Sequence, residues 1–182
     1  KLCATQFEPA LRMRFFTLIF VLLLSLTSAL TANAQLDYLR SLYFGASNEE
    51  GIKKYYNSAV VTPDQSPIIK AYKGVAIAMY AEVVSGVDDK FSYFGKGKKL
   101  IEEAIQGDFY NPEIRFLRLT VQAEVPWVVG YSGDINADAT IVLNAIQKNQ
   151  VDPKSDYWKK AILYLKNCDD LSSAQKKEFN KY

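Results

Sequence analysis

Histidine is absent from this chain of 182 residues, and cysteine occurs only twice, as Cys3 and Cys168. The lack of histidine excludes Ser-His-Asp and Cys-His nucleophiles and every metal site that needs imidazole. Cys3 falls in a segment that we expect to be removed, so Cys168 has no partner for an internal disulfide. One cysteine also cannot form a structural zinc site. We interpret Cys168 as a buried structural thiol rather than a reactive one.

Strand and phosphate-loop patterns are missing as well. No run of alternating apolar and polar residues is long enough to predict a strand. The segment Gly95-Lys96-Gly97-Lys98 lacks the strand and the spacing that a phosphate-binding glycine loop or a dinucleotide fingerprint requires. The sequence therefore gives no reason to expect a cofactor or a metal.

Long apolar runs are also scarce, and the one that stands out is Phe15 to Leu26. It follows Arg12 and Arg14 and leads into Ala32-Asn33-Ala34, the order of a secretory signal peptide. It is too short for a membrane span, which needs about 20 apolar residues. We predict a signal peptide over residues 13–34, cleavage after Ala34 and a periplasmic location, with residues 1–12 as a mis-set start.

Charge of one sign is not in excess once this leader is set aside. Lys1, Arg12, Arg14 and Glu8 are its charged residues, which leaves the rest of the 22 basic and 20 acidic side chains balanced. A neutral chain gives no reason to invoke nucleic acid or an anionic membrane as a partner.

What the chain does contain is a pattern repeated three times: alanine, a β-branched residue, and a proline eight positions after the alanine, preceded by a helix-capping residue. The alanines are 45 and 41 residues apart, and periods of this size are typical of stacked helical hairpins. The copies are Ala59, Val60, Ser66 and Pro67; Ala104, Ile105, Asn111 and Pro112; and Ala145, Ile146, Asp152 and Pro153.

Each copy predicts the end of one helix and the start of the next. The small alanine lets a neighbouring helix approach closely, and Ser66, Asn111 and Asp152 are placed to cap helices whose first residue is the proline. Asp134 and Ser172 are predicted to cap two later helices, the second with Gln175 in a capping box. We predict one all-α domain over residues 35–182, a short α-α superhelix of about seven to eight helices.

The segment from Lys98 to Val121, KKLIEEAIQGDFYNPEIRFLRLTV, resembles a tetratricopeptide-type hairpin, with a small residue near the end of its first helix and a capped Asn-Pro at its second. Its periods exceed the usual length of about 34 residues, so the resemblance implies a divergent, tetratricopeptide-like superhelix.

A second set of segments resembles a family of small exported bacterial proteins with no established activity. The resemblance spans roughly residues 39–165 and implies export and a helical fold, but no reaction. The segments are Ala71 to Gly74, Phe91 to Phe94, Lys96 to Ala104, Arg115 to Gln122, Pro126, Gly130-Tyr131 and Asp134 to Asp138.

Four basic residues recur at equivalent positions of the repeat. Lys70 and Arg115 follow their prolines by three residues, and Lys73 and Arg118 follow by six. Stacked hairpins would place them on one side, where they could form a groove for an extended, acidic or C-terminal peptide. The alternative is that they only keep a helix face solvated.

Arg118 and Gln122 lie four residues apart on a largely apolar helix, so both are expected to point inward. Buried arginine needs a partner, and Glu102 or Glu103 on the preceding helix is the expected one. A structural ion pair and a ligand-contacting role are the two interpretations. Trp127 and Tyr131 belong to an unusually apolar connection, which predicts either a partner-binding patch or a loop folded back over the hairpins.

These features favour an exported, non-catalytic module that binds a protein or peptide through Lys70, Lys73, Arg115, Arg118, Gln122, Trp127 and Tyr131. One alternative is an envelope glycan hydrolase that relies on carboxylates alone, such as Glu102, Glu103, Glu124, Asp134 and Asp138. Helix capping and surface ion pairs also account for those carboxylates. The other alternative is a protein that binds a small molecule beneath the Trp127 loop.

Overall fold

The computed structural model describes residues 33–182, and that part of the chain is all-α, with no strand. The predicted fold class is confirmed. The described residues contain eight α-helices and one short 3₁₀ helix, joined by turns and loops. They are α1 (33–45), α2 (Glu49–Val60), α3 (Pro67–Tyr80), α4 (Val87–Gly107), α5 (Pro112–Glu124), the 3₁₀ helix (Trp127–Val129), α6 (Ile135–Gln147), α7 (Asp156–Asn167) and α8 (Ser173–Phe179).

The chain divides into two compact units, Lys1–Tyr38 and Leu39–Tyr182. Of the first unit, only residues 33–38 are described, and they begin helix α1. The predicted leader (1–12) and almost all of the predicted signal peptide (13–34) lie outside the described residues. All contacts discussed below lie within the second unit, which falls inside the predicted domain of residues 35–182.

Most predicted helix starts are found where the capping residues stand. Asn48 caps α2 through a hydrogen bond from the Gly51 amide (2.9 Å). Asn111 caps α5 by accepting from the amides of Glu113 (3.0 Å) and Ile114 (3.2 Å), with Pro112 as the first helical residue. Ser172 and Gln175 form the predicted capping box. Local sequence therefore fixes these boundaries, because a cap satisfies the orphan amides of a helix start.

The predicted start of α7 is wrong. Helix α7 begins at Asp156, not at Pro153, and its cap is Ser155, whose hydroxyl accepts from the Trp158 amide (3.4 Å). Asp152 instead closes a turn before the helix, where its carboxylate accepts from the Lys154 amide (2.9 Å). The third copy of the repeat therefore lacks the proline start of the other two.

The side chains of Ser66 and Asp134 also make no capping hydrogen bond, although each stands directly before its helix. The carboxylate of Asp64 accepts from the Ser66 amide instead (2.7 Å). The carboxylate of Asp134 contacts Arg118 and Gln122 of α5 instead.

The alanines of the repeat are buried in all three copies: Ala59 and Ala104 are fully enclosed, and Ala145 is nearly so. Helix α3 packs against three other helices, α2, α4 and α5. Its contact with α4 is the most extensive one, because Gly74 and Ala78 of α3 face Gly97 of α4 at backbone distance. Stacking of the hairpins into a superhelix stays a prediction.

A second apolar cluster joins the later helices. Phe116 and Leu119 of α5 pack with residues of α6, α7 and α8, including Trp158, Leu165 and Phe179. Helix α5 therefore has buried residues on nearly every side, and its polar side chains enter the interior with them. Arg115, Arg118 and Gln122 are therefore enclosed, and their hydrogen-bond partners lie inside the domain.

Candidate functional site

Arg118 and Arg115 both reach Asp138 of α6, whose side chain is fully buried. Arg118 donates from Nε to Oδ2 (2.7 Å) and from Nη2 to Oδ1 (2.8 Å), and Arg115 donates from Nη1 to Oδ1 (3.0 Å). A paired geometry of this kind is among the strongest that a carboxylate makes. The helix-start position of Asp138 does not by itself account for this geometry, because its carboxylate holds two buried guanidinium groups.

The remaining nitrogen of Arg118 meets two further carboxylates. Nη1 lies 3.1 Å from Oε2 of Glu102 on α4 and 3.3 Å from Oδ2 of Asp134. Burial by itself lowers the pKa of Arg118, but the hydrogen bonds and charges of Asp138, Glu102 and Asp134 raise the pKa above its ordinary value. The predicted pairing of Arg118 with Glu102 is present, and it ties α4, α5 and α6 together.

Tyr131 and Gln122 complete this network. The hydroxyl of Tyr131 donates to Oε1 of Glu102 (2.6 Å), and burial together with that carboxylate raises the pKa of Tyr131. Gln122 donates from Nε2 to Oδ2 of Asp134 (3.2 Å). Tyr131 and Gln122 are both nearly inaccessible to solvent. They belong to the interior of the domain rather than to its surface.

Lys70 and Lys73 lie on α3, and their partners differ from Asp138, the carboxylate that Arg115 and Arg118 share. Lys70 pairs with Oε2 of Glu103 on α4 (3.3 Å), and Lys73 donates to the carbonyl oxygen of Asp64 (3.1 Å). Each of the four basic residues thus has a partner within the domain, and the two arginines share Asp138. This placement leaves them without a shared open face, and a direct role for them in partner binding stays a prediction.

A second buried carboxylate joins α5 to two other helices. Glu113 of α5 accepts from Arg40 of α1 through both oxygens (2.8 and 2.5 Å) and from the hydroxyl of Tyr72 of α3 (2.7 Å). The sequence-based reasoning missed this group. A glutamate in the first turn of a helix is normally explained by the helix dipole, so its long-range partners leave no local signal.

An interhelical cleft of about 1290 Å³ is open to solvent. Its floor reaches the core at Val75 of α3 and at Phe116 and Val121 of α5. Its walls are mainly apolar and aromatic, and include Tyr43, Phe44, Met79, Phe94, Val125, Pro126, Val129 and Tyr164. A cleft of this composition is the usual form of a ligand-binding site.

Large apolar side chains stand exposed at the mouth of the cleft. Val87 and Phe91 of α4 are 67% and 61% exposed on one side, and Leu163 of α7 is 61% exposed on the other. Exposed apolar groups that border an apolar cleft mark a contact surface more clearly than isolated ones do. The sequence-based analysis did not select them, because only the tertiary structure brings α4 and α7 to one opening.

The apolar connection after α5 contributes to this site. Val125, Pro126 and Val129 line the cleft, and Val128 is 72% exposed. The side chain of Trp127 lies outside what the structure describes. The loop that the sequence singled out therefore borders the cleft through its other apolar residues.

Cys168 lines the cleft near the end of α7 and is buried. Burial raises the pKa of its thiol, which keeps the sulfur protonated and a poor nucleophile. The prediction of a buried thiol is confirmed.

No group of three or more carboxylates and thiols in residues 33–182 is arranged to hold a metal ion. In the same residues, no helix combines the length and the apolarity that crossing a membrane requires. Comparisons with models of protein families, with curated proteins and with solved structures found no significant match to this chain.

Proposed function

We propose that this protein is a non-catalytic binding protein that holds an apolar segment of a protein or peptide partner in the interhelical cleft. The observation that carries the proposal is the combination of an apolar cleft of about 1290 Å³ with exposed Val87, Phe91 and Leu163 at its mouth. Their exposed apolar surface would be removed from water by a bound segment, and that burial is the main source of affinity in such contacts.

The state of the carboxylates supports binding rather than glycan hydrolysis. Asp138, Asp134 and Glu102 are all paired with Arg118, and Asp138 is fully buried. Glu124 accepts a hydrogen bond from the hydroxyl of Tyr164 (2.9 Å). A general acid needs access to substrate, whereas Asp138 is enclosed and the other three carboxylates are engaged by neighbouring side chains.

A small apolar molecule is the second candidate ligand, and the mainly apolar lining of the cleft favours it. The volume, however, is above the range of about 300–1,000 Å³ that is usual for such ligands. The larger peptide segment therefore makes fuller use of the cleft.

The test uses Nile red, an uncharged apolar fluorophore, and a neutral amphipathic model peptide of leucine and glutamine about four helical turns long. We expect the full chain to enhance the dye's fluorescence and the peptide to displace the dye. If the dye binds and the peptide does not compete, the small-molecule function replaces the proposed one. If neither binds, both are refuted.

Variants at the mouth of the cleft locate the binding. Phe91→Ser and Leu163→Ser remove exposed side chains, so the fold should be retained. Together they should weaken peptide binding about tenfold, which corresponds to about 1.4 kcal/mol. The matched control is Val61→Ser, since Val61 is 76% exposed at the end of α2 and lies outside the cleft lining. Equal losses in the control and in the mouth variants would place the binding elsewhere.

We also propose, from the sequence of residues 13–34, that the protein is exported to the periplasm and acts in the cell envelope. N-terminal sequencing of protein recovered from a periplasmic extract should begin at Gln35. Recovery of the uncleaved chain from the cytoplasmic fraction would contradict the proposal.

A further inference from the structure

Four helices end at the cleft. Its lining includes the last residues of α1 (Tyr43, Phe44), α3 (Met79), α5 (Glu124) and α7 (Asn167), together with residues just beyond them. The carboxyl end of a helix carries about half a negative elementary charge, because its last carbonyl groups have no partner within the helix. Val87, the first residue of α4, brings one positive helix end to the same cleft, so the four carboxyl ends outnumber it and the helix ends together favour a negative potential.

The side chains near these ends do little to offset that potential. The last turns of α3 and α5 contain no basic residue, and α7 has Lys166. Acidic side chains dominate the rim, which we define by the exposed carboxylates of Glu82, Glu124, Asp169 and Asp170. The rim carboxylates and the carboxyl ends of the helices therefore both make the potential at the cleft more negative.

Basic groups are present at the rim but are fewer. Lys90 and Lys160 line the cleft, and Lys160 lies 5.2 Å from the ring of Phe44. Lys176 of α8 contacts Asp169 at 3.3 Å, in a pair whose carboxylate is fully exposed. Asp88 and Asp89 add two negative charges in the first turn of α4, beside Val87. The balance around the cleft stays negative.

The volume of the cleft is close to that of a short helix. A cylinder about 10 Å wide and three helical turns long, roughly 16 Å, has a volume of about 1,250 Å³. The cleft measures about 1290 Å³. An amphipathic helix that lays its apolar face in a groove is a recurring mode of peptide recognition.

We propose that the occupant of the cleft is an amphipathic helical segment of a partner protein, with an apolar face toward the exposed Phe91 and Leu163 and with lysine or arginine residues flanking that face. This inference rests on the proposed function and specifies the partner's chemistry. The basic side chains meet the rim carboxylates and the four helix ends, and the apolar face meets the walls. Complementary charge of this kind selects partners and speeds their association.

The test measures fluorescence anisotropy with three labelled model peptides that share one leucine face and carry lysine, glutamine or glutamate on the other. With the full chain at low salt, the lysine peptide should bind at least about tenfold more tightly than the glutamate peptide. The glutamine peptide should lie between them. The difference should shrink as salt is raised to about 1 M, where the Debye length is about 3 Å.

Charge reversal at the rim tests the location. The double variant Glu82→Lys and Asp170→Lys should weaken the lysine peptide and strengthen the glutamate peptide, each severalfold. The matched control is Asp156→Lys, an exposed carboxylate at the opposite end of α7, which should leave both peptides unchanged. Circular dichroism checks that each variant keeps its helical content.

The outcomes separate the two proposals. Equal affinity for the three peptides, with the mouth variants still effective, would refute the basic partner and retain peptide binding in the cleft. Preference for the glutamate peptide would overturn the inference outright. If none of the peptides binds, the proposed function fails and the inference fails with it.

Discussion

Arg118 of α5 and Asp138 of α6 form a two-point ion pair inside the domain, with Nε and Nη2 at 2.7 and 2.8 Å from the two carboxylate oxygens. The two side chains are 6% and 0% exposed. Arg115 shares the same carboxylate at 3.0 Å. One buried negative charge therefore holds two buried positive charges, and the stability of the domain depends on keeping it.

Asp138→Asn should destabilise the fold by about 3–5 kcal/mol, because it leaves two guanidinium groups buried without their main counter-charge. Urea unfolding followed by circular dichroism measures the change. The control is Glu103→Gln, which removes the partly exposed pair with Lys70 and should cost less than about 1 kcal/mol. Similar losses for the two variants would show that the buried pair is not a structural lock.

Two glycines of α4 provide a matched test of the contact with α3. A Cβ at Gly97 would lie 2.5 Å from the Ala78 nitrogen and 2.5 Å from the Gly74 carbonyl oxygen, whereas a Cβ at Gly95 would meet nothing within 4 Å. Gly97→Ala should destabilise by about 1–3 kcal/mol, because the helices must move apart. Gly95→Ala should stabilise by about 0.5–1 kcal/mol through helix propensity. Thermal unfolding measures both, and a stabilising Gly97→Ala would refute the close packing.

Helix caps can be compared at three equivalent-looking positions. Asn111→Ala and Ser155→Ala should each cost about 1 kcal/mol, because both side chains accept from helix-start amides. Ser66→Ala should change stability by less than about 0.5 kcal/mol, since its side chain makes no capping bond. Chemical denaturation of the three variants checks the order. A costly Ser66→Ala would contradict the absence of a capping bond at α3, and a neutral Ser155→Ala would contradict the assigned start of α7.

Alkaline pH should unfold the protein through its buried tyrosines. Burial raises the pKa of Tyr55 and of Tyr72 well above the ordinary value of 10.0. The folded state therefore keeps protons that the unfolded state releases, so stability is fully present below about pH 10 and falls as pH rises further. Tyrosinate absorbance should rise in two stages, the second together with loss of helical circular dichroism. One stage with the helices intact would mean that these tyrosines are accessible.

The repeat shows how far sequence reasoning reaches in this protein. It predicted the helical class, the enclosed alanines and the start of α5 at Asn111-Pro112, because caps, helix propensity and small residues act within a few positions of one another. It failed at Asp152-Pro153, where the same motif forms a turn and Ser155 begins the helix. A capping residue has competing local uses, and the motif alone does not choose between them.

The candidate site shows where sequence reasoning stops. The inward direction of Arg118 and its partner Glu102 followed from helical periodicity, but the fully buried Asp138 and the shared role of Arg115 did not. Gly97 was considered only as a phosphate-loop candidate, whereas its real role is contact with α3. Val87, Phe91 and Leu163 were not identified, since their spacing in the sequence is unremarkable for exposed helix residues.

By itself, the sequence determined that this chain folds into helices, where most of them begin, and which catalytic groups it cannot use, because these properties depend on local interactions and on composition. Only the tertiary structure decided which charges neutralise one another and where apolar surface stays open to solvent. Those outcomes depend on distances between helices far apart in the chain: α1, α3, α5 and α7 end around one cleft, and no single segment encodes that arrangement.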